Sequence, residues 1–494
     1  VGFAKYIASL PEGKERGVAI GYDNRHMSYK FAIESAKVLA TYGIKSYIFE
    51  SLRPTPELSF AVRYLKCAGG IMITASHNPK EHNGYKVYDD TGCQLLPEAA
   101  DQVVQYVNEV EDELNIKVFS DEEAYPYMTW IGEEVDEAYY KEVMAIEVNP
   151  GMDKSDFKIV FSPQHGTSNV AVRTCLTRLG YDLVPVLAQC APDPDFSNTK
   201  SPNPEVPASY ELAIKKAKEV DADVVVITDP DGDRLGVVAK HNGEYVLMSG
   251  NQSAAVYLEY ILSQMKEKGT LPDNAVMYNT IVTSDLGELV ARSYGVDVEK
   301  TLTGFKFIGD KIRKYEQTHE KTFVFGYEES YGCVIKDFVR DKDAVQAVLT
   351  AAEAGNFYKK QGKDLVDVLN ELYAKHGTFK ETQIALSKAG AAGAARIKEI
   401  MDNLRKDAPQ EIGGVKVVKV EDYGNSTCSD GTTIQLPKSN VLKYYLEDGS
   451  WIAARPSGTE PKCKFYFSIK GSDADDAASK TEVFHKAMME IIGE

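Results

Sequence analysis

The chain contains no apolar run near the roughly 18 residues of a membrane helix, no Cys-x-x-C and no Gly-x-x-x-x-Gly-Lys-Ser/Thr. The first absence excludes a helical membrane span. The second, with seven scattered cysteines (Cys67, Cys93, Cys175, Cys190, Cys333, Cys428 and Cys463), argues against a disulfide or zinc framework. Reduced thiols and a cytoplasmic location are the expectation. The third excludes a P-loop. Basic residues are also short: 56 Lys+Arg against 74 Asp+Glu leave a net charge of −18. Such a field repels phosphate polymers, so no nucleic acid and no membrane is expected as a partner. A small anionic substrate stays open, provided local cations bind it. What remains is ordinary globular composition, 43% apolar and 26% charged over 494 residues. That length suits about three to four domains.

An internal repeat organises the chain. Val18-Ala19-Ile20 ends in the polar Gly21-Tyr22-Asp23-Asn24-Arg25. An amphipathic stretch through Phe31, Ala32, Ala36 and Leu39 follows, closed by Tyr42-Gly43, and then Tyr47-Ile48-Phe49 and Gly70-Ile71-Met72-Ile73 read as strands. The order recurs with Lys158 to Phe161, a helix from about Asn169 to Leu179 closed by Gly180-Tyr181, and Val224 to Ile227. It recurs again with Val276 to Tyr278, a helix through Leu286 to Ser293 closed by Tyr294-Gly295, and Phe323 to Phe325. Gly43 to Ser76 and Gly295 to Glu328 each span 33 residues. Gly180 to Asp229 spans 49, and the proline-rich Ala191 to Pro207 accounts for the excess.

Buried-strand runs separated by helical patterns predict α/β units, with ligands bound beyond the strand ends. Beyond about Lys375 the pattern changes. It reads as a helix (Ala392 to Leu404), strands at Val415 to Val420, Val441 to Leu446, Trp451 to Ala454 and Phe465 to Ile469, and a final helix. The expected fold is three related mixed-sheet α/β domains plus a C-terminal α+β domain. Their expected bounds are 1–150, 151–255, 256–375 and 376–494.

Four loops carry the chemistry. Asp229-Pro230-Asp231-Gly232-Asp233 places three carboxylates at alternate positions on a tight turn, suited to Mg²⁺ or Ca²⁺. An EF-hand is excluded, because position six is Arg234, position twelve is Lys240 and the flanks read as strands. The bland alternative is an acidic turn capping a strand. Thr74-Ala75-Ser76-His77-Asn78-Pro79 follows a buried strand. Ser76 alone could be a capping hydroxyl, and His77 could orient the loop or be a satisfied turn histidine. No Gly-x-Ser-x-Gly elbow surrounds Ser76, and Lys86 lies ten residues on. Arg455-Pro456-Ser457-Gly458-Thr459-Glu460-Pro461-Lys462 offers a guanidinium fork, two hydroxyls and a glycine, resembling a phosphate nest. Glu328 and Ser330 offer an acceptor and a hydroxyl suited to sugar hydroxyls.

Together, in this order and one per domain, these loops resemble the α-D-phosphohexomutase superfamily, the phosphoglucomutase and phosphomannomutase enzymes. The resemblance implies four domains around a central cleft and a phosphoryl group carried on Ser76. It implies one Mg²⁺ per chain, held by that phosphate with Asp229, Asp231 and Asp233. Further implied are sugar contacts by Glu328 and Ser330, and phosphate contacts by Arg455, Ser457, Gly458 and Thr459. Lys86 and Arg234 match positions that assist proton transfer and phosphate binding, and His77 is a further candidate catalytic residue. Thr303-Gly304-Phe305-Lys306 looks like the third-domain loop that reaches substrate through its lysine.

The expected activity is interconversion of hexose 1- and 6-phosphates through a sugar bisphosphate, with hexose 1,6-bisphosphate as activator. The expected partner is a phosphosugar, and the chain is expected to be a monomer or homodimer. Phosphopentomutase, phosphomannomutase, glucose-1,6-bisphosphate synthase and a metal-dependent sugar phosphatase are the alternatives. Lys86 is the expected base if its pKa is lowered. Tyr331-Gly332 after the Glu-x-Ser is closer to the phosphoglucomutase and phosphopentomutase branch. Members usually begin with a Gly-Thr-Ala-Gly-Leu-Arg-like phosphate loop. Here a helix-like stretch (Phe3, Ile7, Leu10) stands before Val18, so a truncated first domain is expected.

Overall fold

A computed structural model describes residues 1–457 and 461–494. Two compact units emerge: Val1–Asn279 with Tyr294–Glu299 and Gly304–Val368, and Thr280–Ser293 with Lys300–Thr303 and Leu369–Glu494.

The first sheet contains β1 (Val18–Tyr22), β2 (Ser46–Phe49), β3 (Gly69–Ile73), β4 (Tyr85–Tyr88) and β5 (Met128–Ile131), ordered β4-β3-β1-β2-β5. The second contains β6 (Lys158–Ser162), β7 (Asp182–Pro185), β8 (Val224–Thr228), β9 (Leu235–His241) and β10 (Glu244–Met248), ordered β10-β9-β8-β6-β7. The third contains β11 (Ala275–Thr280), β12 (Asp297–Thr301), β13 (Thr322–Tyr327) and β14 (Cys333–Val334), ordered β12-β11-β13-β14. One arrangement therefore recurs three times. The first strand of each copy is central, the second lies on one side, and the third lies on the other and is followed outward by an antiparallel strand.

Local sequence explains the buried strands. All residues of β1, β3 and β8 are buried, as expected of apolar runs covered on both faces. The repeated helices run Ser28–Thr41, Asn169–Arg178 and Asp285–Ser293. Gly43, Gly180 and Gly295, just past their ends, have φ of 73°, 86° and 78°. Only glycine adopts that region without a Cβ clash, so it ends each helix at the same place in the repeat.

The added antiparallel strands β4, β10 and β14 go beyond the expected pattern, whereas β9 is the strand expected after the aspartate loop. Those three are half-polar or very short, so periodicity alone does not mark them.

The second unit carries the fourth sheet: β15 (Thr378–Ser387), β16 (Glu411–Ile412), β17 (Val415–Asp422), β18 (Thr427–Cys428), β19 (Leu442–Leu446), β20 (Trp451–Pro456) and β21 (Lys462–Gly471). Its path is β15-β21-β20-β19-β17-β16, with β18 on β17. Helices Gly390–Lys406 and Ala474–Ile492 cover one face and bury Ile400, Leu404, Phe484 and Met488 with Tyr444, Ile452 and Phe467. The expected tail began with a helix; the structure puts β15 before it. Lys380-Glu381-Thr382-Gln383 hides this strand from a hydropathy reading. It forms because its whole length, Thr378 to Ser387, pairs with Gly471 to Lys462 of β21.

No described helix is long and apolar enough to cross a membrane. The seven cysteines are free, and all but Cys428 are buried.

The opposite face of the fourth sheet holds a buried lysine. Lys443 Nζ donates to the Ile281 carbonyl at 2.8 Å and lies 3.9 Å from the Trp451 ring centroid. Burial, with Lys300 adding to it, pushes its pKa down to about 7, although Asp285 and Glu288 oppose the shift. An unfolded lysine keeps its proton up to about 10.5. Between those values the unfolded state binds more protons, so stability rises with pH from about 7 to 10. The gain is at most about 5 kcal/mol. Denaturant titrations of the native chain should show this slope, and Lys443→Met should flatten it and stabilise the protein near pH 6.

Candidate active site

The loops singled out from sequence leave the C-terminal ends of β3, β8 and β13, and Asp23 to Arg25 leave β1. In an α/β sheet these are the ends where ligands bind. Ser76 stands at φ 51°, a left-handed conformation costly for a residue with a Cβ. Its N–H donates to Thr74 Oγ1 at 2.8 Å.

Arg25 clamps the loop. Its guanidinium donates to the carbonyls of Ser76, Asn78, Pro79 and His82 at 2.5–3.0 Å. Asp23 lies 3.2 Å from Arg25 Nε, and both side chains are fully buried. Asp23 also accepts from Ser28 Oγ and from the Arg25 N–H. This clamp went unassigned in sequence. Its signal was the polar Asp23-Asn24-Arg25 directly after a buried strand.

Ser76 Oγ donates to Asp229 Oδ2 at 2.8 Å and lies 3.3 Å from His77 Nδ1. Asp229 Oδ1 accepts the backbone N–H groups of Asp233 and Arg234. Asp231 Oδ2 accepts from Lys86 Nζ at 2.8 Å and from Thr55 Oγ1 at 2.9 Å. Asp233 Oδ2 lies 3.2 Å from Lys86 Nζ and 3.1 Å from Lys342 Nζ. Gly232, at φ 70°, makes the turn possible: a Cβ there would meet Pro54 Cβ at 2.8 Å.

The three aspartates are buried, and each offers one oxygen within 4.8 Å of the others. Asp231 Oδ1 and Asp233 Oδ1 are buried with no hydrogen-bond partner. Hard oxygen donors at this density, two of them unsatisfied, fit a divalent cation.

Charge in the cluster is divided unevenly. Burial, then Asp231 and Asp233, push the Asp229 carboxyl well above the usual range. Burial and Asp233 also push Asp231 up, but the Lys86 ammonium outweighs them and holds it low. Asp233 is likewise held low against burial, by Lys342, Lys86 and Arg234. Burial pulls Lys86 down, yet Asp231 and Asp233 overcome it and hold the ammonium well above its ordinary range. In this arrangement Lys86 is an ammonium, and the lowered pKa that a base would need is not met. Burial, then Arg234, push His77 down to about 3, so its imidazole is neutral near pH 7.

The remaining expected residues divide between the units. Arg234 pairs with Glu205 at 2.7 Å. Glu328 is buried and accepts the Gly304 N–H at 2.9 Å, tying the Glu-x-Ser turn to the loop that carries Lys306. Against burial, Asp233 foremost raises both Lys342 and Arg234, and Glu328 adds a smaller share. Ser330 and Lys306 are half-buried. Arg455 and Ser457 belong to the second unit: Arg455 lies in β20 opposite Lys464, and the Ser457 N–H donates to the Lys462 carbonyl at 2.7 Å. Gly458 and Thr459 lie outside the described residues.

Sequence reasoning also missed Lys342 and Thr55. Arg340-Asp341-Lys342-Asp343 reads as a solvated charge run, yet all four residues are buried.

Models of all four domains of one family match the chain in order. Phosphoglucomutase/phosphomannomutase alpha/beta/alpha domains I, II and III cover residues 1–114, 137–243 and 249–376, and the C-terminal domain covers 394–486. A phosphoglucomutase of Staphylococcus epidermidis is 39% identical over 488 residues, covering 97% of this chain and 87% of that protein. One of Staphylococcus aureus strain MRSA252 is 39% identical over 487 residues, covering 97% and 86%. Among solved structures, parafusin of Paramecium superposes with a TM-score of 0.73 at 20% identity, covering 100% of this chain and 92% of that one. A phosphoglucomutase/phosphomannomutase family protein of Burkholderia thailandensis gives 0.71 at 19%, covering 99% and 93%. At those identities the superpositions speak for the fold alone. The family models and the relatives carry the assignment: the chain belongs to the phosphoglucomutase/phosphomannomutase family.

Proposed function

We propose that this chain is a phosphoglucomutase, interconverting glucose 1-phosphate and glucose 6-phosphate through a phosphoserine at Ser76 and a glucose 1,6-bisphosphate intermediate. The observation that carries the reading is Ser76 Oγ at 2.8 Å from a buried aspartate of a three-aspartate loop.

The phosphoryl group passes from Ser76 Oγ to the free hydroxyl of the sugar monophosphate. The Oγ–P bond breaks, a P–O bond to the sugar oxygen forms, and the sugar hydroxyl proton ends on Ser76 Oγ. The bisphosphate reorients and returns its other phosphoryl group to Ser76. In the dephosphorylated state the Ser76 proton that must leave is donated to Asp229 Oδ2. Lys86, an ammonium here, gives its proton to the departing oxygen and takes one from the attacking hydroxyl, so that each transfer leaves it an ammonium. His77, neutral, orients Ser76. Arg234 and the Arg25 clamp supply positive charge near the phosphoserine, which carries about −1.5 to −2.

Asp229, Asp231 and Asp233 would hold one Mg²⁺ with the phosphoserine. When bound it supplies Lewis-acid stabilisation of the transferring group and offsets the carboxylate field that keeps Lys86 protonated. Glu328, Ser330 and Lys306 bind the sugar phosphate. Arg455, Ser457, Gly458 and Thr459 form the phosphate loop of the second unit. Domain bounds of 1–150, 151–255, 256–375 and 376–494, a cytoplasmic location and activation by hexose 1,6-bisphosphate belong to the same proposal.

The test is a priming experiment. Protein purified from cells should carry one phosphoryl group, about 80 Da, on Ser76. After that group is lost, glucose 1,6-bisphosphate should restore it and start interconversion without release of inorganic phosphate. Stoichiometric phosphate release would favour a sugar phosphatase instead, and a faster rate on mannose or pentose phosphates would reassign the sugar.

A further inference from the structure

Three consecutive carbonyls of the aspartate loop are each held by a different segment. The Pro230 carbonyl accepts from the Thr167 N–H at 2.8 Å, Asp231 from Thr55 at 2.8 Å, and Gly232 from Ala344 at 3.1 Å. Thr55 and Ala344 are the first residues of helices Thr55–Tyr64 and Ala344–Lys359, and Thr167 stands two residues before helix Asn169–Arg178. N–H groups at a helix start lack intrahelical acceptors, and the positive helix end favours an acidic neighbour. Both needs are met by this loop, so its backbone is shaped by the fold.

Side-chain contacts then decide which oxygens remain available. Thr55 grips Asp231 at two points, its N–H on the carbonyl and its Oγ1 on Oδ2 at 2.9 Å. The hydroxyl is buried and has a single proton to give. Lys86 shares Oδ2, while Oδ1 is buried without a hydrogen-bond partner. With both donors on Oδ2, rotation of the carboxylate is restricted and Oδ1 is the oxygen left for a cation. Lys86 reaches Oδ2 along four methylenes; Thr55 reaches it from a helix start already bonded to the same residue.

We propose that Thr55 is a positioning residue for the divalent cation, turning Asp231 so that Oδ1 faces the metal. The proposal rests on the metal role of the aspartate loop put forward above. Groups that orient a ligand through its second atom typically change metal affinity by about ten- to a hundredfold when removed.

The experiment measures equilibrium Mn²⁺ binding by electron paramagnetic resonance on the full chain, beside turnover as a function of Mg²⁺. Thr55→Val keeps the shape and the backbone bond but loses the hydroxyl. It should bind Mn²⁺ about tenfold or more weakly, with KM for glucose 1-phosphate at saturating Mg²⁺ unchanged. Thr55→Ser should restore the affinity. A merely structural role would lower the melting temperature and leave metal affinity alone. Wild-type affinity in Thr55→Val, with Asp231→Asn clearly weakened, would overturn the role of Thr55 and leave the metal site standing. No Mn²⁺ binding by the wild-type chain, or wild-type affinity in Asp231→Asn, would overturn both.

Discussion

Ser76→Ala is expected to abolish exchange of phosphate between the two sugar positions, by roughly 10⁴- to 10⁶-fold, as when a covalent nucleophile is deleted elsewhere. The hydroxyl is both donor and acceptor of the phosphoryl group, and no neighbour can replace it. Asp229 is held away from that role, because two backbone N–H groups fix its Oδ1. The loop itself should survive, since Arg25 grips carbonyls and the Thr74 bond uses the Ser76 N–H. The left-handed φ of 51° gives an independent check. Ser76→Gly relieves that strain, by about 1 kcal/mol, and so should be at least as stable as Ser76→Ala while equally inactive. Both variants should still bind glucose 6-phosphate. Near-wild-type turnover in either, measured by a coupled assay with primer present, would remove Ser76 from the reaction.

Asp231→Asn should lower turnover by about 10²- to 10³-fold, the several kcal/mol expected when a metal site loses a charged ligand. Its Oδ1 is buried without a hydrogen-bond partner, and an amide is a weaker, neutral ligand. The fold should persist, because the Asp231 carbonyl stays bonded to the Thr55 N–H. A second consequence follows from Lys86. Its high pKa depends on Asp231 and Asp233, so the variant should move the pH profile of turnover to lower pH. Titration of activity with Mg²⁺ and a pH–rate profile test both effects. Unchanged activity in the presence of a chelator would show that the aspartates hold no metal.

The sequence alone determined the repeat, the residue types of the loops and their family. Each of these is local. The strand ahead of Ser76 is apolar because both its faces are covered, the glycine after each helix is needed for a left-handed turn, and three aspartates fall within five residues. Alternation and turn chemistry record such facts in neighbouring positions. Tertiary structure alone decided how these groups act on one another. Thr55 lies 176 residues from Asp231, and Lys86 lies 145 residues from it. Arg340 to Asp343 look solvated in sequence and are buried in the fold. β15 is a strand because β21 pairs with its whole length. The charge on Lys86 was also undecided in sequence, where it is the expected base if its pKa is lowered. In the folded chain two carboxylates outweigh burial and hold it as an ammonium. A pKa sums over space, and the order of strands in the sheet, rather than the order of residues, sets which charges are near.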